Sequence, residues 1–236
     1  MIFRQLFDEE SFTYTYFLTD KESRETIFID PVAAHVEDYL KLLAEHDCQL
    51  KYSLETHVHA DHVTGSGLLR QRTSAQTGVN QQCGAVSADM QLQHGDTLRI
   101  GKNSIHVIDT PGHTPGSTSF LIGDRLFTGD ALLINGCGRT DFQGGDAKTL
   151  YDSIVQRLFT LPDETLVYPG HDYNGRRVSC IGQERAINPR LAGKTREEFI
   201  RIMNNLNLPK PKLIDIAVPA NRMCGIPEEE EALPQG

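Results

Sequence analysis

The stretch THVHADH, residues 56–62, places His57, His59, Asp61 and His62 within seven positions. Three more ligand-type residues follow in order: His113 in TPGHTPG, Asp130 in TGDALL and His171 in YPGHDY. Imidazole and carboxylate together suit zinc or iron rather than a thiolate-seeking metal. A lone histidine is ordinarily a hydrogen-bonded structural residue. Four short motifs carrying seven such groups point instead to a centre for one or two metal ions. Its chemistry is then either hydrolysis by a metal-activated water or oxidation at a redox-active ion.

Such groups need rigid elements to hold them, and the pattern supplies strands that end at each motif. SFTYTYFL (11–18) and ETIFID (25–30) are rich in aromatic and β-branched types and read as strands. LKYSLET (50–56) is a strand leading into the first histidine cluster, and a helix is expected over 61–72, capped by the aspartate region. SIHVIDTPGH (104–113), STSFLI (117–122), DRLFTGD (124–130) and ETLVYPGHD (164–172) give further strands, three of them ending at a ligand-type residue. Helical spacing of Val36, Tyr39, Leu40 and Leu43 predicts a helix over 33–47. Another is expected over 146–161 with Asp146 as N-cap, and a third over 195–208 with Thr195 and Glu198 at capping-box spacing. The polar stretch 73–86 reads as loops or an edge strand without an assigned role. Strands followed by helices in both halves predict an α/β fold, two β-sheets covered outside by helices.

A chain of 236 residues fits one large α/β domain, taken as 1–226, followed by an acidic tail over 227–236 expected to be disordered. The formal net charge of −9 argues against nucleic acid as a partner. No apolar run is long enough to span a bilayer. Five cysteines without a CxxC pair argue for a reducing compartment and against a thiolate zinc site. The opening MIFRQLFDEES has no basic and apolar leader pattern, so a bacterial cytoplasmic location is expected.

Taken together, THVHADH, TPGHTPG, TGDALL and YPGHDY resemble the motifs of the metallo-β-lactamase superfamily, over nearly the whole chain. That resemblance implies an αββα sandwich of two mixed β-sheets flanked by helices. A two-zinc hydrolase of this fold would use His57, His59 and His113 for one ion and Asp61, His62 and His171 for the other, bridged by Asp130. GCGRTDFQGG (136–145), FTLPDETLVYPGHDYNG and the ending NNLNLPKPKLIDIAVPANRMCG resemble more narrowly the persulfide dioxygenases. This implies a single non-haem Fe(II) held by His57, His113 and Asp130, which would also be the catalytic groups. The reaction implied is oxidation of glutathione persulfide by O2 and water to sulfite and glutathione, in a chain that is often a homodimer. Two imidazoles and one carboxylate on one face of an octahedral ion leave three positions open. His59, Asp61, His62 and His171 would then orient ligands, or hold a second ion. The alternative is a thioester hydrolase of the glyoxalase II type with two metals, which shares the first motif and glutathione recognition. GCGRTD and the short C-terminal region favour the dioxygenase.

Substrate recognition rests on two candidates. Arg139 could bind a glutathione carboxylate, or pair structurally with Asp141. Tyr173, beside His171 and Asp172, could hydrogen-bond the substrate, or pack with its hydroxyl satisfied. Asp141 and Asp172 read as structural partners of arginines, Cys137 as a buried inert thiol, and KPK (210–212) as a solvated surface run.

Overall fold

The computed structural model describes residues 1–226, so the tail expected to be disordered over 227–236 lies outside the described residues. Twelve strands form two six-stranded sheets. The first contains β1 (Ile2–Phe7), β2 (Tyr14–Thr19), β3 (Glu25–Ile29), β4 (Gln49–Leu54), β5 (Gln76–Asn80) and β6 (Met90–Leu92), side by side in chain order. The second contains β7 (Thr97–Ile100), β8 (Asn103–Asp109), β9 (Thr118–Ile122), β10 (Arg125–Gly129), β11 (Leu166–Pro169) and β12 (Ser179–Cys180), again in chain order. Both sheets are mixed: β3, β4, β5 and β6 run parallel, as do β10 and β11, and the remaining pairs are antiparallel.

Strand β2 shows why its sequence lacks a clean alternation. All six residues are buried, because both faces of the sheet are covered. Tyr16 and Leu18 point into the core between the sheets, against Ile105, Phe120, Phe127 and Tyr168. Phe17, one residue over, points outward to pack with Phe28, Tyr39 and Leu43. Those last two lie on α1 (Val36–Glu45), entered through a short 3-10 turn over Ala33–His35 where the sequence predicts helix throughout. The second sheet is covered in the same way. Leu126 and Val167 meet Leu150 of α3 (Ala147–Ser153) and Phe199 and Met203 of α5 (Arg196–Asn204). The order is helix, sheet, sheet, helix, the αββα sandwich. Phe127 is fully buried in the central layer, where truncation to alanine would cost about 3–5 kcal/mol.

Several elements differ from the sequence reading. Helix α2 spans Ser66–Thr73 with Gly65 at its N-cap and no side-chain cap; Asp61 is drawn into the histidine cluster instead. Asp146 does cap α3, accepting from Thr149 N at 2.7 Å, but the helix widens into a π segment over Ile154–Leu158. The capping box of Thr195 and Glu198 forms on α5. Within 73–86 lies β5, an interior strand rather than an edge. Its polar groups are satisfied there: Thr77 bonds Asp89 through amide and hydroxyl, both at 2.8 Å, and Asn80 donates to Asp109 at 2.7 Å. Two helices escaped the sequence reading, α4 (Ile181–Ile187) and α6 (Ile214–Arg222), the latter with Pro219 inside it. Among the described residues, no helix is long and apolar enough to cross a membrane.

Candidate metal centre

Each ligand-type residue is delivered by a strand end. His57, His59, Asp61 and His62 follow β4; His113 lies in the loop between β8 and β9; Asp130 follows β10; His171 follows β11. The parallel neighbours β10 and β11 set Asp130 and His171 side by side. Such strand-end loops on a rigid scaffold are where functional groups gather.

The seven groups do not form one undivided cluster. His57, His113 and Asp130 bring one donor atom each to within 4.8 Å of one another. His59, Asp61 and His62 form a second group by the same measure. His171 joins the two, its Nδ1 lying 2.7 Å from Asp130 Oδ1 and its Nε2 2.9 Å from Asp61 Oδ2. His59, which a two-zinc reading pairs with His57, lies beside it with ring centroids 4.0 Å apart and its Nδ1 buried without a partner. Its Nε2 lies 3.2 Å from Asp30 Oδ1 and 3.4 Å from Glu55 Oε2, all three side chains being buried.

The first trio fits a metal ion. His113 Nδ1 donates to the Arg139 carbonyl at 2.7 Å. That bond fixes the tautomer and leaves Nε2 free toward Asp130, 3.7 Å from its Oδ2. Burial, together with repulsion from His59 and His113, holds His57 well below the usual imidazole range. It is therefore neutral at physiological pH, the form a metal requires. Burial opposes charge on Asp130, but His171, His113 and His57 outweigh it and keep the carboxyl well below its ordinary range. In the second group, His59 Nδ1 and Nε2 and His62 Nε2 are buried polar atoms without a hydrogen-bond partner. Two imidazoles facing an ionised carboxylate make a donor set for a divalent cation.

Backbone shape makes room for this trio. A Cβ on Gly138 would collide with the carbonyl of Asp130 and press on the His113 ring, so only glycine fits between them. Gly129 takes φ +50 where the chain leaves β10 and packs against the Thr56 side chain.

Arg139 and Tyr173 occupy different situations. The Arg139 guanidinium grips Asp141 with two bonds of 2.7 Å and donates to the carbonyls of Pro209 and Leu208 at 2.6 and 3.1 Å. Its donors are therefore turned to the protein rather than to open space. Tyr173 is exposed, its ring parallel to His171 with centroids 6.2 Å apart. Asp172 is buried and accepts from Arg176. Cys137 is buried, and burial raises its thiol to about 11.

Four supporting residues escaped the sequence reading. Asp30, at φ +52 after β3, accepts from the Thr56 amide and hydroxyl at 2.7 and 2.8 Å, and Thr56 in turn lies 3.0 Å from His57 Nδ1. Glu55 accepts from the hydroxyls of Thr64 and Ser66. Thr13 inserts its hydroxyl among Asp61, His62 and His171. Asn221, on α6, reaches back to the first histidine loop. The Asp-Pro step at the end of a strand was the one local signal for Asp30. Nothing near Asn221 or Thr13 in sequence points to the metal motifs.

Comparison with known proteins agrees with this architecture. The profile of the metallo-beta-lactamase superfamily matches residues 9–82 and 85–171, and the chain belongs to that superfamily. It is 49% identical over 228 residues to the mitochondrial persulfide dioxygenase ETHE1 of Mus musculus, spanning 96% of this chain and 89% of that protein. The human enzyme of the same name gives the same identity and coverage. The crystal structure of ETHE1 from Myxococcus xanthus superposes with a TM-score of 0.94 at 59% identity, covering 96% of this chain and all of that one. Within the superfamily, this chain belongs to the persulfide dioxygenases.

Proposed function

We propose that this chain oxidises glutathione persulfide with O2 and water to sulfite and glutathione, at a single Fe(II) held by His57, His113 and Asp130. The observation that carries it is the convergence of those three donor atoms to within 4.8 Å of one another. The persulfide dioxygenases at 49% and 59% identity support the activity. When bound, a ferrous ion on this face supplies the redox chemistry and open coordination positions for both substrates.

The chain's own residues do the rest. The Arg139 carbonyl orients His113, and Asp30, through Thr56, orients His57. His171 holds Asp130 in place through Nδ1, so the carboxylate is aimed before any substrate arrives. Asp130 and His113 are the parts of the trio that keep some exposure, 14% and 11% of their side chains, so substrate approaches from their side. Tyr173, beside that opening, offers a ring and hydroxyl to the glutathione portion. Arg139, already paired with Asp141, shapes the wall by holding the Leu208 and Pro209 backbone. Glutathione as the carrier of the persulfide and a homodimeric assembly belong to the same reading.

The net conversion balances: the S–S bond of the persulfide breaks, its outer sulfur takes three oxygens from O2 and water, and the inner sulfur leaves as thiol. An oxygen electrode combined with sulfite and thiol assays tests it. The expected result is one sulfite and one glutathione per O2 consumed. Hydrolysis of a glutathione thioester with no O2 uptake on persulfide would replace this reading with a hydrolase.

A further inference from the structure

Thr13 occupies the middle of the second group of donors. Its hydroxyl donates to Asp61 Oδ2 at 3.0 Å and lies 3.1 Å from His171 Nε2 and 3.3 Å from His62 Nδ1. It also accepts from the Ser11 hydroxyl at 2.8 Å. Asp61, His62 and His171 are the residues that a two-metal hydrolase of this fold would use for its second ion. Here one protein oxygen touches a donor atom of all three.

We propose that the Thr13 hydroxyl takes the place of a second metal ion among Asp61, His62 and His171, and so limits the centre to one ion. The inference rests on the single-iron reading and names the residue that enforces it.

The hydroxyl is fixed there by the backbone. Thr13 is fully buried and forms a β-bridge with His171. Its carbonyl accepts from Asp8 N at 2.9 Å, and the next amide, of Tyr14, donates to Gly170 O at 2.8 Å. Phe12 just before it adopts φ +60, a conformation uncommon outside glycine that the turn into β2 imposes. A β-branched side chain is stiff about χ1, so the hydroxyl has little freedom to withdraw.

The hydroxyl competes with an ion for these donor atoms. Zinc or iron needs its nitrogen and oxygen donors at roughly 2.0–2.2 Å. An ion that close to Asp61 Oδ2, His62 Nδ1 and His171 Nε2 on the hydroxyl's side would overlap an oxygen already 3.0–3.3 Å from the same atoms. Asp61 is also committed to its neighbours, with His62 Nδ1 at 3.0 Å and His171 Nε2 at 2.9 Å from the same oxygen. The hydrogen bonds occupy Asp61 Oδ2, His62 Nδ1 and His171 Nε2, while the buried His62 Nε2 is left without a partner. A single ion also lacks the bridged pair that would generate a hydrolytic hydroxide.

The test is metal stoichiometry, read by elemental mass spectrometry after equilibration with excess zinc and, separately, by cobalt substitution followed by electronic and paramagnetic resonance spectra. Wild type and Thr13→Ser should each take up one ion per chain. Thr13→Ala, with its fold checked by circular dichroism, should take up two, and its cobalt form should show coupling between the ions. One ion in both wild type and Thr13→Ala would overturn the role of Thr13 while leaving the single-ion reading intact. Two ions in wild type would overturn both. If Thr13→Ala does not fold, Thr13→Gly takes its place with the same two outcomes: two ions per chain support the proposal, and one ion refutes it.

Discussion

The Asn221 side chain spans the sequence to hold the first histidine loop. Its Nδ2 donates to the carbonyls of His59 and His62 at 2.9 and 2.8 Å, and its Oδ1 accepts from Thr64 N at 2.8 Å. The loop carrying four ligand-type residues is thus pinned by a buried amide on α6, roughly 160 positions further along. Neighbouring contacts reinforce the clasp: Gly67 N donates to the Cys224 carbonyl at 2.8 Å, and Gly225 packs directly on Thr64.

Asn221→Ala should therefore weaken metal binding without abolishing the fold. Truncation leaves two carbonyls and one amide unpaired in the interior, a cost of about 2–4 kcal/mol in stability. Loss of an orienting partner lowers metal affinity by roughly 10–100-fold. Competition with a chelator of known affinity and a thermal melt measure the two effects. Wild-type affinity in this variant would show that the α6 clasp does not position the loop.

Arg139 and Asp141 make opposite predictions under the two roles that Arg139 could play. As a clamp on Leu208 and Pro209, Arg139 needs Asp141, so Arg139→Ala and Asp141→Ala should both raise the KM for glutathione persulfide. The expected rise for Arg139→Ala is about 5–100-fold, the range for losing hydrogen bonds to a charged group. Arg139→Lys should not rescue it, because an ammonium cannot reproduce the two-pronged grip. If Asp141→Ala lowered KM instead, the guanidinium would be a direct receptor for the substrate carboxylate.

The pH dependence of stability should differ between metal-free and metal-loaded chains. Burial opposes charge on His171, but Asp130 and Asp61 outweigh it and raise its pKa well above the ordinary value of 6.5. Burial likewise opposes charge on His59, but Asp30 and Glu55 raise it to about 10. A histidine with a raised folded pKa stabilises the fold fully below about 6.5 and loses that contribution as pH climbs through the folded value. The stripped chain should therefore lose stability from about pH 6.5 upward. A bound cation offsets the charge of Asp130, so His171 is raised less and the loaded chain should show a shallower decline. Thermal melts from about pH 6.5 to 9.5, with and without chelator, read this directly. Parallel slopes in the two forms would contradict it.

The gathering of the ligand-type residues at strand ends was legible before the fold was known, and the reason is local. His57, His113 and Asp130 sit in short motifs at the ends of strands, where sequence proximity and spatial role coincide. The αββα layering was legible too, although β2 hid its alternation because Tyr16 and Phe17 are both buried, on opposite faces. What escaped was long-range. Thr13 and Asn221 act across 49 and 159 positions on His62, and neither residue type signals its partner. The same holds for β5, whose Thr77 and Asn80 look like loop residues until Asp89 and Asp109 are seen to satisfy them. Arg139 was placed near the site through GCGRTD, but the commitment of its guanidinium to the Pro209 carbonyl required the fold.

The central claim is tested most directly by counting ferrous ions after anaerobic reconstitution and removal of excess metal. Wild type should hold one iron per chain, and so should His62→Ala. His113→Ala and Asp130→Ala should hold none while keeping native circular dichroism, since the sandwich core forms independently of the ion. Full iron in the His113 or Asp130 variant, or two tightly held ions in wild type, would contradict a single centre built on His57, His113 and Asp130.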